Sequence, residues 1–190
     1  MEAFGESSLE SLGWRGEDSQ RKRFEVIAAA GDFNGCSLLD VGCGRGDLKR
    51  FLDARFKGFT YLGLDHMPAF IEQARQAYAG VPETMFVECD FTAVTLPAVD
   101  YVVASGALGY RSADPEYHFE MIRKMYQCAR RALIFNVLDA ALFPVHPLLV
   151  GRNCDEVVAY CRGIAPCVRV ITGYLEDDVT LCLHAGHSIM

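Results

Sequence analysis

Apolar residues recur along this chain in two alternating rhythms. Short apolar runs at Ser37–Val41, Phe59–Leu64, Thr84–Glu88, Asp100–Ser105 and Ala132–Leu138 have strand length, and the stretches between them carry apolar residues at helical spacing. Phe24, Ile27 and Ala28 mark a first helix over about 19–30; Leu48, Phe51, Leu52 and Phe56 mark a second. Phe70, Ile71, Ala74 and Tyr78 mark a third behind Pro68, a residue suited to a first helical turn. Asp114-Pro115-Glu116 reads as the start of a fourth, with Phe119, Ile122, Tyr126 and Ala129 facing inward and Arg130 and Arg131 at its dipole-negative end. The pattern loosens over 139–166, where a proline-interrupted insert, LFPVHPLLVG, precedes a helix of about 155–162. Two last strands, Cys167–Thr172 and Val179–His184, flank the acidic turn Glu176-Asp177-Asp178 and pair as a hairpin. Strand and helix in alternation specify an α/β fold. We expect a doubly wound, mostly parallel seven-stranded sheet of Rossmann-like type, closed by an antiparallel C-terminal hairpin.

The first strand runs into the most informative segment, LLDVGCGRGDL at 38–48. Glycines at every second position (Gly42, Gly44, Gly46) allow positive φ and close approach of backbone to a ligand, and the helix that follows offers unpaired N–H groups. A nucleoside-type cofactor suits such a turn. A dinucleotide site spaces its glycines GxGxxG, whereas here the third glycine comes one residue early. Asp40, two residues before Gly42, would also oppose a pyrophosphate. An acid there suits a cofactor that carries positive charge. Asp65 and Asp90 end the second and third strands, so the acids at 40, 65 and 90 fall along one rim of the sheet, where ligands of this architecture bind. Asp65 can accept both hydroxyls of a ribose. Capping of the following turn is the other role open to Asp65 and Asp90, core packing to Phe91, and helix capping to Asp47.

LLDVGCGRG, YLGLD at 61–65, CDF at 89–91 and VDYVVASGAL at 99–108 together resemble the motifs of class I S-adenosylmethionine-dependent methyltransferases, in the right order over about 36–138. Leu12-Gly13-Trp14, Ser19-Gln20 and Arg23-Phe24 add likeness to small bacterial members of that family. The resemblance implies S-adenosylmethionine as cofactor. It sets Asp40, Gly42 and Gly44 at the methionine portion, Asp65 at the ribose, Asp90 at the adenine amino group, Phe91 beside the ring, and Ser105 and Gly106 under the methionine portion. Cys43 and His66 fall next to these and are expected to line the cofactor. Trp14 and Arg23 are expected in an N-terminal helical lid segment (1–34), the arginine meeting the cofactor carboxylate. The chain is expected to form one domain, 1–190, with 139–166 as an insert and helix before the last two strands.

Composition narrows the partners. A formal charge of −7 leaves no basic face for nucleic-acid phosphates, and Arg21-Lys22-Arg23 is a short solvated run. The fourth strand ends in Ser105-Gly106-Ala107-Leu108, without the Asp/Asn-Pro-Pro-aromatic signature of amino-group methylation that the family uses on adenine. Ala165-Pro166-Cys167 lies at the wrong strand for cytosine chemistry. No apolar run spans a membrane and the first residues are acidic, so a cytoplasmic protein is expected. The eight cysteines show no CxxC pair and read as small apolar residues, and no metal site is expected.

Methyl transfer from a sulfonium needs alignment more than a nucleophilic side chain, so the catalytic residues stay unassigned. Tyr110, His118 and His146 are the candidates for touching a small-molecule acceptor. A nicotinamide-dependent oxidoreductase and a non-catalytic S-adenosylmethionine-binding protein are the alternatives.

Overall fold

The computed structural model describes residues 16–186. Seven strands form one sheet in the order β3-β2-β1-β4-β5-β7-β6. They are β1 (Ser37–Val41), β2 (Thr60–Asp65), β3 (Thr84–Glu88), β4 (Val99–Ala104), β5 (Ala129–Leu138), β6 (Cys167–Ile171) and β7 (Asp178–His184). The first five are parallel, and β7 enters antiparallel between β5 and β6. The helices are α1 (Glu17–Ala30), α2 (Asp47–Asp53), α3 (Pro68–Ala77), α4 (Tyr117–Cys128) and α5 (Cys154–Ile164). None of the helices is long and apolar enough to cross a membrane, among the described residues.

Period-two side chains place the central strands between two apolar layers. Leu38 of β1 and Ala132 and Ile134 of β5 pack with Phe24, Ile27, Leu48, Leu52 and Ile71, the inner residues of α1, α2 and α3. Leu39 and Val41 of β1, with Leu133, Phe135 and Val137 of β5, pack instead with Met121, Ile122 and Met125 of α4 and Val157 and Cys161 of α5. Both faces of the sheet are therefore covered, and the ligand-accessible surface is left at the carboxyl ends of the parallel strands.

The hairpin, the parallel sheet and the order of elements match the sequence reading. Four local expectations are corrected. Helix α4 begins at Tyr117, because Asp114 folds back on its own turn and accepts from the Glu116 N–H at 2.9 Å. Its buried face is His118, Met121, Ile122, Met125 and Cys128, with Phe119 and Tyr126 only partly buried. It passes into β5 at Ala129 with no intervening loop, so Arg130 and Arg131 are exposed strand residues and not helix-terminal cations. Asp178 is not part of the acidic turn; it opens β7 and is buried. Leu12-Gly13-Trp14 lies outside the described residues.

Candidate functional site

Above the carboxyl ends of β1, β2 and β4 lies an open cleft, the place where ligands of doubly wound sheets bind. Each wall comes from a different connection. The β1–α2 turn supplies Asp40, Gly42, Cys43, Gly44 and Asp47, the β2–α3 turn supplies Asp65, His66 and Met67, and the β4 end supplies Ser105, Gly106, Ala107 and Tyr110. Gln20 and Phe24 reach in from α1.

The glycine turn is bent by positive φ at Gly42, Gly44 and Gly46 (77°, 55° and 79°). Gly42 and Cys43 both donate their N–H to the Leu64 carbonyl, at 2.8 and 3.0 Å, which bonds the turn to the end of β2. A Cβ on Gly42 would sit 2.8 Å from the Ala107 Cβ. Bare backbone is therefore required where the turn meets the β4 end.

Two carboxylates anchor this turn. Asp65 accepts from the Gly44 N–H through Oδ2 and from the Met67 N–H through Oδ1, each at 2.9 Å, so it ties the glycine turn to the start of α3. Asp40 is 2% exposed and accepts the Tyr61 hydroxyl at 2.5 Å. Burial pushes its carboxyl up to about 7; the Tyr61 hydrogen bond opposes this and the nearby Asp65 charge adds to it. Asp40 is thus a buried acid in a cleft wall with a second acid as its charged neighbour. His66 sits at the mouth with Nδ1 3.9 Å from Asp65 Oδ1. Phe91 is buried and lines the floor, its ring centroid 6.4 Å from that of His66.

At the β4 end, Gly106 has φ 79° and donates its N–H at 2.7 Å to Asn136 Oδ1 on the neighbouring strand β5. Ser105 Oγ is buried and has no hydrogen-bond partner among the described residues. Tyr110 follows the 3₁₀ turn Ala107–Gly109 and makes an isolated bridge to Leu149 of the insert. The insert is clipped here by further bonds: Arg111 N–H to the Leu148 carbonyl and the Arg111 guanidinium to the His146 carbonyl, both at 3.0 Å. Burial raises the Tyr110 phenol above its ordinary value, with the Asp65 charge contributing, so at neutral pH it is an O–H donor.

Of the residues named from the sequence, the cleft brings together Asp40, Gly42, Cys43, Gly44, Asp65, His66, Phe91, Ser105, Gly106 and Tyr110. The others stand elsewhere. Arg23 is not among the residues that line the cleft, and its guanidinium pairs with the buried Asp178, with Nε 2.5 Å from Oδ2. Asp90 lies outside the cleft wall and closes a turn, accepting from Thr92 N–H and Oγ1 at 2.9 and 2.6 Å. His118 is turned into the core, stacked on Phe119 with centroids 3.9 Å apart, and burial lowers its pKa. His146 is held in the insert, its Nδ1 accepting from the Leu148 and Leu149 N–H groups at 3.2 and 3.1 Å. Gln20, Phe24 and Met67 line the cleft without having been singled out as ligands. Gln20 and Phe24 lie on α1, remote in sequence from the glycine turn.

A doubly wound sheet with an antiparallel β7, an acid before a tight glycine turn and a second acid at the next strand end define a methyltransferase-type α/β domain. Residues 39–132 match the family model described as "Methyltransferase domain". A Mycobacterium tuberculosis protein, itself assigned as a methyltransferase by inference, is 36% identical over 120 residues, which cover 60% of this chain and 69% of that one. The trans-aconitate 2-methyltransferase of Enterobacter sp. is 35% identical over 94 residues, 49% of this chain but only 36% of the relative's length. In fold, the chain superimposes on the Synechocystis magnesium protoporphyrin IX methyltransferase bound to S-adenosylhomocysteine with a TM-score of 0.69, at 17% identity over 93% of this chain and 92% of that one. The N-methyltransferase NodS of Bradyrhizobium japonicum gives 0.70 at 16% identity over 94% and 98%. The chain belongs to the class I S-adenosylmethionine-dependent methyltransferases.

Proposed function

We propose that this protein transfers the methyl group of S-adenosylmethionine to a small-molecule acceptor, and that the cleft between the glycine turn and the β4 end holds the cofactor. The observation that carries this reading is the pairing of Asp40 with the glycine turn. A buried carboxyl that, among the described residues, accepts from a tyrosine hydroxyl and has another acid as its charged neighbour favours a cation brought to it, and the cofactor's ammonium is one. Ser105 Oγ, buried and unpartnered, fits a polar group entering the same cleft. Asp65 keeps lone pairs beyond the two backbone bonds it accepts, enough for ribose hydroxyls. Phe91 offers an apolar surface to the adenine ring.

The cofactor supplies an electrophilic methyl on sulfur; the chain's own residues supply binding, alignment and exclusion of water. Alignment accounts for about 7–11 kcal/mol in reactions of this kind, so a covalent nucleophile is not required. Tyr110, at the rim of the cleft and joined to the insert through Leu149, is placed to donate a hydrogen bond to the acceptor. The insert, joined to Tyr110 through Leu149 and exposing Leu142, Val145 and Leu148, is the segment we assign to the acceptor side. Relatives named for trans-aconitate support a small organic acid as the first acceptor to try.

Isothermal titration with S-adenosylmethionine and S-adenosylhomocysteine tests the cofactor half of the proposal, with micromolar binding expected. Transfer of labelled methyl to a panel of small carboxylic acids and phenols tests the acceptor half. Affinity no tighter than about 1 mM for both nucleosides rejects the assignment of the cleft.

A further inference from the structure

Asp178, 1% exposed at the start of β7, lies outside the cleft and yet is bonded to α1, which lines it, and through Asn136 of β5 to the β4 end. Its carboxylate pairs with the Arg23 guanidinium of α1. It also accepts from Asn136 Nδ2 at 2.9 and 3.0 Å, and from the Tyr174 hydroxyl. An ionised carboxylate only accepts, so it dictates which way the Asn136 amide faces: Nδ2 toward Asp178, and hence Oδ1 toward the Gly106 N–H, 2.7 Å away. One side of this network therefore ends on the Ser105–Gly106 wall. The other side ends on α1, whose Gln20 and Phe24 are one turn or less from Arg23 and line the cleft.

We propose that Asp178, acting through Asn136 and Arg23, is a positioning residue: it sets the α1 wall and the Gly106 turn of the cofactor cleft relative to each other. The inference rests on the reading of this cleft as the S-adenosylmethionine site. Gly106 has a left-handed φ of 79° and is followed by a 3₁₀ turn, so its peptide is held at this orientation by its side-chain acceptor and not by a strand ladder. Loss of that acceptor frees the peptide beside Ser105. Loss of the guanidinium removes the ion pair that ties α1 to β7. Tyr174 bonds to the same carboxylate but does not line the cleft, so it separates positioning from plain stability.

The experiment compares Asn136→Ala, Arg23→Lys and Tyr174→Phe with the native protein in three measurements: S-adenosylhomocysteine affinity, Tm, and amide exchange of Gly106 without ligand. Asn136→Ala is expected to weaken affinity about tenfold or more and Arg23→Lys about threefold to tenfold. In both variants Gly106 exchange accelerates. Tyr174→Phe lowers Tm while affinity and Gly106 exchange stay within about threefold of native. Should Asn136→Ala fail to fold, Arg23→Lys against Tyr174→Phe decides the matter. Native-like affinity and exchange in Asn136→Ala and Arg23→Lys overturn the inference, as does an equal affinity loss in Tyr174→Phe. Absence of binding by the native protein, with Gly106 exchange still responding to Asn136→Ala, overturns the cofactor reading instead and leaves the coupling standing.

Discussion

Tyr61 and Asp40 meet across the β1–β2 pair, the phenol donating at 2.5 Å to a carboxyl that accepts from no other donor among the described residues. Burial raises this carboxyl to about 7. In the unfolded chain it ionises near its ordinary value of 3.8. Between those values the folded, ligand-free protein holds the extra proton, so this group's contribution to stability declines as pH rises toward 7. Cofactor binding runs the other way. An ammonium favours the ionised carboxyl, so binding below pH 7 must release the proton. S-adenosylhomocysteine affinity is expected to fall about tenfold to thirtyfold from pH 7.5 to 5.5, and Asp40→Asn should remove that slope. Titration calorimetry at the two pH values checks it, and equal affinities would refute the link.

Asp65 does two jobs with one carboxylate. Its oxygens hold the Gly44 and Met67 N–H groups, and both face the cleft from the end of β2. Asp65→Ala strands the Gly44 N–H and removes the acceptor proposed for the ribose. At about 1.5–3 kcal/mol for charge-assisted hydrogen bonds, nucleoside affinity should drop about tenfold to a hundredfold. Asp65→Asn keeps one acceptor oxygen and should fall between the two. Calorimetry with S-adenosylhomocysteine measures both, and affinity unchanged in Asp65→Ala would remove this residue from the site.

These two acids were legible from the sequence because each is local: an acid at a strand end, then glycine or a turn. The same locality made the glycine turn and the first four strands readable. What stayed hidden depends on distant partners. Asp178 reads as one acid in a run of three beside a turn, and its pairing with Arg23, 155 residues earlier, together with the Asn136 and Tyr174 donors, explains why it is buried. Asn136 is one polar letter inside an apolar run, and its role appears only when β5 lies beside β4 and Gly106 comes within 2.7 Å. The α4–β5 junction misled for a different reason. A helix that passes directly into a strand leaves no turn residue to mark the change, so Arg130 and Arg131 resemble helix-terminal cations. For Arg23 the pairing with Asp178 is likewise hidden, since a partner 155 residues away leaves no mark near the arginine.

Gly42 makes the cost of a single methyl testable. Alanine there meets a left-handed φ of 77°, strained by about 1–2 kcal/mol for a side-chain-bearing residue, and places its Cβ 2.8 Å from that of Ala107. Relief requires the β4 end to shift away from the glycine turn, which widens the cleft. Gly42→Ala should therefore lower Tm by about 2–8 °C for a destabilisation of about 1–2 kcal/mol at this chain length. It should also weaken S-adenosylhomocysteine binding. Differential scanning fluorimetry and calorimetry on the same sample check both, and a native Tm would show that the two elements part without cost.

Tyr110 separates cofactor binding from acceptor handling. Its backbone bridges to Leu149, and its ring, part-exposed, lines the cleft. Tyr110→Phe preserves the bridge and the ring and removes only the oxygen. If that oxygen orients the acceptor, S-adenosylhomocysteine affinity should stay within about threefold of native while methyl transfer slows about tenfold to a hundredfold, the span expected for one positioned hydrogen-bonding group. The loss should fall on kcat or on the acceptor's KM and leave the KM for S-adenosylmethionine alone, because the phenol is assigned to the acceptor and not to the nucleoside. Steady-state rates with each substrate varied in turn separate these constants. A rise confined to the KM for S-adenosylmethionine would move Tyr110 to the cofactor, and unaltered kinetics would leave the acceptor to other residues of the rim, Gln20 and Phe24 of α1 first among them.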